Sequence, residues 1–170
     1  YTLRTLFPYT TLFRSCNSYQ GIITGCDKAF VLNNDTSLLK NIEKDIIKPW
    51  IKSSFIEKNK ILRKDSYLIY SDLICNPQEY NNAIAYIELH REKLSKRREC
   101  QKGIRKWYEL QWGRNQNIFE GEKIVFPFKA SSNRFAIDRG SYFSADVYAL
   151  TLKENVPFKI GRASCRERVF

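Results

Sequence analysis

The side chains of this chain that are placed to do chemistry are donors, acceptors and cations rather than nucleophiles. Thr24, Asp27, Arg139 and Ser141 lie on stretches whose glycine and aspartate content reads as turn. Side chains on such turns can exchange hydrogen bonds with base edges in a nucleic-acid groove. Lys28, Lys48, Lys123 and Arg134 flank expected strand starts and suit phosphates, which fix register without carrying sequence information. Trp50, Trp107 and Tyr108 can stack on a nucleotide, but they fit equally as the core of a tryptophan-bearing segment beside a sheet. Glu109 is placed to pair with Arg105 at i, i+4 as readily as to touch a base.

Catalytic and metal chemistry find little here. Cys16, Cys26, Cys75, Cys100 and Cys165 form no C-x-x-C pair, and His90 is the single histidine. Neither a zinc site nor a disulfide framework is expected, and a reducing cytoplasm fits best. No apolar run approaches the ~20 residues that a bilayer-spanning helix needs.

Charge points toward a polyanion. The 170 residues carry a net +11. Binding of a polyanion by such a surface releases counterions and is strongly salt-dependent. A lysine-rich surface is also an ordinary route to solubility, so charge alone leaves the partner open.

The two ends differ in character from the middle. Residues 1–15 and 162–170 resemble translated sequencing-adaptor sequence and are expected to be non-native tails. Arg4 and Arg14 bracket a stretch broken by Pro8 and several threonines, which does not make a signal peptide. The ends hold five arginines against Glu167, a net of +4, so residues 16–161 retain +7. That remainder is one domain's worth of chain.

These residues need elements to hold them. Ile22-Ile23 and Ala29-Phe30-Val31-Leu32 predict a hairpin around Thr24-Gly25-Cys26-Asp27. Asp35 or Thr36 would cap a short helix through Leu38-Leu39-Lys40. Pro49 biases Lys48 away from helix in the segment Ile46–Ile51. Ile61–Arg63 and Tyr67–Tyr70 predict two short strands around Lys64-Asp65-Ser66. Asn76 as N-cap, Pro77 after it and Glu79 three residues on predict a helix start. Tyr80, Ile84, Ile87 and Leu94, with Arg91 between, predict one long central helix over about 76–99. Its end is dense in cations that suit either the helix dipole or phosphates. Beyond Leu110, the segments Lys123–Phe126, Arg134–Ile137, Tyr142-Phe143 and Val147–Leu150 predict a meander. The expected class is α+β, with a mostly antiparallel sheet, one long central helix and short helices.

In this order the segments resemble a known family over residues 19–152. Gly21–Phe30, Ile46-Ile47-Lys48-Pro49-Trp50-Ile51, Tyr67-Leu68-Ile69, Leu94-Ser95-Lys96-Arg97, Trp107-Tyr108-Glu109-Leu110 and Phe119–Pro127 look like successive motifs of the TaqI-like C-terminal specificity, or target-recognition, domain. That domain belongs to adenine-specific DNA methyltransferases and to type II (IIG-like) restriction-modification enzymes. Asp27 stands where asparagine is more usual in that family, and Lys123 where proline is often found. An aspartate near DNA repels phosphate unless it accepts from a base amine.

The resemblance implies sequence-specific recognition of double-stranded DNA by residues 16–161, with catalysis in a methyltransferase domain elsewhere in the polypeptide. The family's catalytic domain carries a glycine-rich cofactor loop and an Asn-Pro-Pro-Tyr/Phe motif. Asn76-Pro77-Gln78-Glu79 is the only Asn-Pro here and lacks the second proline and the aromatic residue. This stretch is therefore expected to bind no S-adenosylmethionine, which belongs with the catalytic domain, where the base is flipped. Two alternatives remain open on the residues alone: a non-enzymatic RNA- or phosphate-binding module, and a structural domain that packs on a catalytic neighbour. Against the first stands the lack of an RNP-like aromatic strand or a GxxG loop.

Overall fold

The computed structural model describes residues 16–33, 36–62 and 66–153. Its strands, in chain order, are β1 (Cys16–Gln20), β2 (Val31–Asn33), β3 (Ile47–Ile51), β4 (Ile56–Glu57), β5 (Lys60–Ile61), β6 (Ser66–Ile69), β7 (Glu122–Pro127), β8 (Ala136–Arg139), β9 (Tyr142–Phe143) and β10 (Val147–Leu152). Six helices accompany them: α1 (Asp27–Phe30), α2 (Thr36–Asn41), α3 (Asn81–Glu88), α4 (Arg91–Ser95), α5 (Arg98–Gln101) and α6 (Asn117–Glu120). The expected tails and the cap expected of Asp35 or Thr36 concern side chains outside those described, as do Lys64 and Asp65 of the expected turn Lys64-Asp65-Ser66. No helix among the described residues is long and apolar enough to cross a membrane.

Two four-stranded sheets share one hydrophobic core. The first, in the order β1-β10-β7-β8, is antiparallel throughout. The second, β2-β6-β3-β9, is antiparallel except where β3 meets β9. Leu68, Ile69 and Tyr70 are all buried, so β6 is covered on both faces and lacks the in-out alternation of a half-solvated strand. The chain passes between the sheets at β9. Tyr142 and Phe143 leave the first sheet to pair with Trp50 and Ile51, and Tyr142 stacks on Phe119 at 4.6 Å. The expected meander is therefore interrupted, because two adjacent fully buried aromatic residues cannot share one face of a half-solvated strand.

Burial also decides against the predicted hairpin. Residues Asp27–Phe30 form a helical turn, and only Val31–Asn33 are strand. Ala29 and Phe30 are both 0% exposed, and a helical turn can bury two successive residues where a strand would send them to opposite faces. Ile22 and Ile23 instead make single bridges, to Ser144 and Trp112. Similarly, β5 pairs with β4 rather than with β6.

The long central helix over 76–99 is replaced by a 3-10 turn at Pro77–Glu79 followed by α3, α4 and α5. The expected start is local and survives: Asn76 Oδ1 accepts from Gln78 N at 3.2 Å, and Asn76 Nδ2 donates to Glu79 Oε1 at 3.1 Å. Beyond it the axis breaks twice, at His90 (φ −114°, ψ 12°) and at Arg97 (φ −62°, ψ 139°). Ala83 and Ile87 on α3 and Leu94 on α4 still reach the core, so apolar spacing matching one helix is met by two short ones, and α5 buries none of its residues.

Lys123 is the largest departure from expectation. On β7, residues 123, 125 and 127 point inward and 122, 124 and 126 outward, which places the lysine inside at 2% exposure. Asp138 stands directly across on β8, and the two charges meet at 2.7 Å with side-chain exposures of 0% and 1%. The ammonium also donates to Phe119 O at 2.5 Å, while Asp138 accepts from Ser141 N at 3.2 Å and Ser141 Oγ at 2.8 Å. Burial pushes the Lys123 pKa down from its ordinary value, and Asp138 opposes that shift. Lys123 therefore belongs to the core and not to a phosphate contact.

Breaking such a pair from one side leaves a buried charge. Lys123→Met is expected to lower unfolding free energy by about 3–5 kcal/mol, measured in urea. The double variant Lys123→Met/Asp138→Asn, which keeps an acceptor for Ser141, should recover a large part of that loss.

Candidate nucleic-acid interface

The turn after Ile23 is built around one arginine. Arg97, freed from helix by its extended ψ, donates from Nε to Leu94 O (3.0 Å), from Nη1 to Thr24 O (3.2 Å) and from Nη2 to Trp107 O and Glu109 O (both 2.9 Å). Gly25 has φ +76°, and a Cβ there would lie 2.8 Å from Arg97 Cδ. Glycine is thus required both for its backbone angle and for the approach of the guanidinium. Gly21 is required by space alone, since a Cβ would come within 2.1 Å of the Ser144 carbonyl oxygen.

Asp27 opens α1 beside this turn. Its carboxylate accepts from Thr24 Oγ1 at 2.6 Å and from Lys52 Nζ at 3.0 Å. Partial burial acts to raise its pKa, but these two hydrogen bonds and the charges of Lys52 and Lys93 outweigh that and hold it below the ordinary aspartate value. The carboxylate is therefore flanked by cations that offset its repulsion of a phosphate. Thr24 itself is 5% exposed and its hydroxyl is committed to Asp27, so the exposed polar group of this pair is the aspartate. Lys28 is exposed on α1.

The other expected contact residues are dispersed. Lys48 is half-buried on β3, opposite Leu68. Half-buried Arg134 donates to Ile56 O at 3.4 Å. Exposed Arg139 binds Glu122 Oε1 through Nε (3.0 Å) and Nη2 (2.7 Å). Ser141 is buried against Asp138, as described above. Two groups result: Thr24, Asp27 and Lys28 on the Arg97 turn, and Lys123, Arg139 and Ser141 on the β7–β8 strands and the corner after them. The structure brings members together within each group but not between them.

The aromatic candidates are mainly packing. Trp50 is 1% exposed and Tyr108 5%. Trp50 Nε1 has no hydrogen-bond partner among the described residues. Trp107 is half-buried, with Tyr108 edge-on at 5.6 Å and the Arg91 guanidinium 5.0 Å from its ring centroid. Glu109 lies 3.8 Å from Arg105, the i, i+4 pair expected, and Arg105 also binds Asp72 at 3.2 Å.

The basic residues after α3 carry more of the surface than single positions suggest. Arg91, Lys93, Lys96, Arg98, Lys102 and Lys106 are all exposed on α4, α5 and the loop that follows. Arg91 pairs with Glu88 and Lys96 with Glu92, while Arg98 and Lys102 have no acidic partner among the described residues. Exposed pairs of this kind are weak, so the helical arm stays electropositive beside the Asp27 turn. The cation run was visible in the sequence. That Arg97 turns inward while its neighbours face solvent was not.

No family profile matches the chain. It is similar to the type II methyltransferase M.BanIII of Aneurinibacillus aneurinilyticus, 27% identical over 158 residues that make up 86% of this chain and 27% of that protein. Its fold matches part of the Type IIL restriction-modification enzyme MmeI, solved in complex with DNA, with TM-score 0.65 and 14% identity over 87% of this chain and 20% of that one. The chain thus spans a minor part of the length of either.

The clamp at Arg97 is directly testable. Each hydrogen bond from a charged donor contributes about 1.5–3 kcal/mol, so Arg97→Ala should lower unfolding free energy by at least ~3 kcal/mol. Arg97→Lys should restore only a minor share, because an ammonium cannot span the planar fork of acceptors. A loss below about 1 kcal/mol in urea unfolding would show that the turn is held by other contacts.

Proposed function

We propose that this chain is the DNA target-recognition domain of a site-specific adenine-N6 methyltransferase or restriction-modification polypeptide acting in the cytoplasm. The observation that carries the reading is the fold likeness across nearly the whole chain to part of a restriction-modification enzyme solved on DNA. Similarity to a type II methyltransferase supports it independently, and the electropositive arm of α4 and α5 beside the Asp27 turn supplies a surface suited to a polyanion. Asp27 and Arg139 remain the exposed candidates for base edges, and Lys28, Lys48 and Arg134 for phosphates. S-adenosylmethionine and the methyl-transfer chemistry belong, in this reading, to the catalytic domain of the longer polypeptide.

Selection from a library of random duplexes tests the proposal. A defined site should be enriched, and log affinity should fall steeply with log salt. Lys28→Ala and Lys48→Ala should each weaken all sequences alike and reduce the salt slope by about one. Asp27→Asn should relax preference at a single base pair, by about 1–3 kcal/mol. If no sequence is enriched and affinity does not depend on salt, the domain does not read DNA.

A second, compatible role has its own observation. The outward face of the first sheet presents Ile124 beside Ile137 and Phe126 beside Tyr148, with Ile137 57% and Phe128 60% exposed. Phe128 stacks on Tyr148 at 5.1 Å. Contiguous apolar surface of this kind suits packing on a neighbouring domain, here the methyltransferase domain. Phe128→Glu/Ile137→Glu should leave the melting temperature of this chain nearly unchanged. It should also abolish concentration-dependent self-association in sedimentation experiments, which the bare face is expected to drive.

A further inference from the structure

The loop after α5 encloses a shallow hollow of about 230 Å³, lined by Arg98, Glu99, Lys102, Ile104 and Trp112. Trp112 is 42% and Ile104 62% exposed, and Phe128 is the only other exposed aromatic side chain among the described residues. The indole sits on a fixed backbone: Trp112 N donates to Ile23 O at 2.9 Å and Ile23 N to Trp112 O at 3.1 Å. That bridge sets it immediately beside the Thr24-Gly25 turn held by Arg97. Ile104 is fixed by its N–H, which donates to Glu99 O at 2.9 Å. Arg98 opens α5 and Lys102 directly follows its last residue, side by side at i, i+4, and neither meets a carboxylate among the described residues. Glu99 is occupied by Gln111 Nε2 at 3.1 Å.

We propose that this hollow binds an unpaired nucleotide, with Trp112 and Ile104 against the base and Arg98 and Lys102 on the flanking phosphates. A flat exposed ring next to free cations is the combination that single-strand binding sites use, since every base offers a π-face and every linkage a negative charge. The carboxylate of Glu99 keeps phosphate away from the indole and leaves it to the two cations. A base inside a duplex has both faces covered by its neighbours, so the ring reaches only a nucleotide outside the stack. The inference rests on the proposed DNA-facing role of this surface but adds a site for a strand that is not base-paired.

Binding of a labelled single strand of about 12 nucleotides, compared with a duplex of the same sequence, tests it by fluorescence anisotropy on the 170-residue chain. Trp112→Ala should weaken single-strand binding about tenfold or more, a loss of one stacked base. Trp112→Phe should retain most of the affinity, and duplex affinity should change little in either variant. Arg98→Ala and Lys102→Ala should each reduce the single-strand salt slope by about 0.7. Unchanged single-strand binding by Trp112→Ala overturns the proposal even where the duplex still binds with sequence preference, which leaves the target-recognition reading standing. Equal loss on duplex and single strand also overturns it. Failure of the parent chain to bind either form would remove both readings together.

Discussion

Much of the structure depends on a single guanidinium. Arg97 draws together the carbonyls of Thr24, Leu94, Trp107 and Glu109, from three stretches of chain. An arginine can do this because its five donors lie in one rigid plane and its charge is never lost. Its positive charge meets carbonyl dipoles instead of a carboxylate, so the clamp neutralises nothing and the surface above it stays basic. The Gly25 turn, the break after α4 and the path of the loop toward Trp112 all follow from satisfying this one side chain. Any shift of the turn would strand a donor or a carbonyl in a partly buried place, where an unmade hydrogen bond costs about 1–3 kcal/mol.

Beneath the first sheet lies a second polar constraint, the Lys123–Asp138 pair. Cross-strand register sets the two opposite each other on the inward face, and Ser141 and the Phe119 carbonyl complete their hydrogen bonds. Buried pairs of this sort fix register more than they stabilise, because desolvation offsets most of the attraction. A slip of β7 by one residue would expose Val125 and bury Glu122. The pair thus fixes which faces of β7 and β8 look outward, and through them the positions of Arg139, the exposed Ile137 and the half-buried Ile124 and Phe126.

These constraints explain which parts of the site were legible from residues alone. Local signals held: Asn76-Pro77 starts a helical turn, Arg105 faces Glu109, and β6, β7, β8 and β10 lie on the stretches rich in β-prone residues. Asp27 was singled out for its position next to a turn, and it does stand on the exposed rim. Lys123 and Ser141 depart from the surface positions their sequence suggests for one reason. Residue type favours the surface for both, and only the partner at Asp138, fifteen residues from Lys123, makes burial tolerable. Trp112 carries no signal of its own in the sequence, because a tryptophan in an aromatic-rich chain is ordinarily core.

The sequence by itself determined the class of the domain, its strand-rich ends, its basic character and the order of its motifs, because propensity, capping and charge are properties of neighbouring residues. Tertiary structure alone decided which cations face solvent, where the helical stretch after Asn76 breaks, and that Ala29-Phe30 coil while Tyr142-Phe143 change sheets. Each of those outcomes is set by partners far away in the chain. Arg97 must reach Thr24, Lys123 must meet Asp138, and adjacent aromatic residues must enter one core. No local pattern encodes such a distance, and burial energies of several side chains outweigh the fraction of a kcal/mol by which propensity separates a helix from a strand.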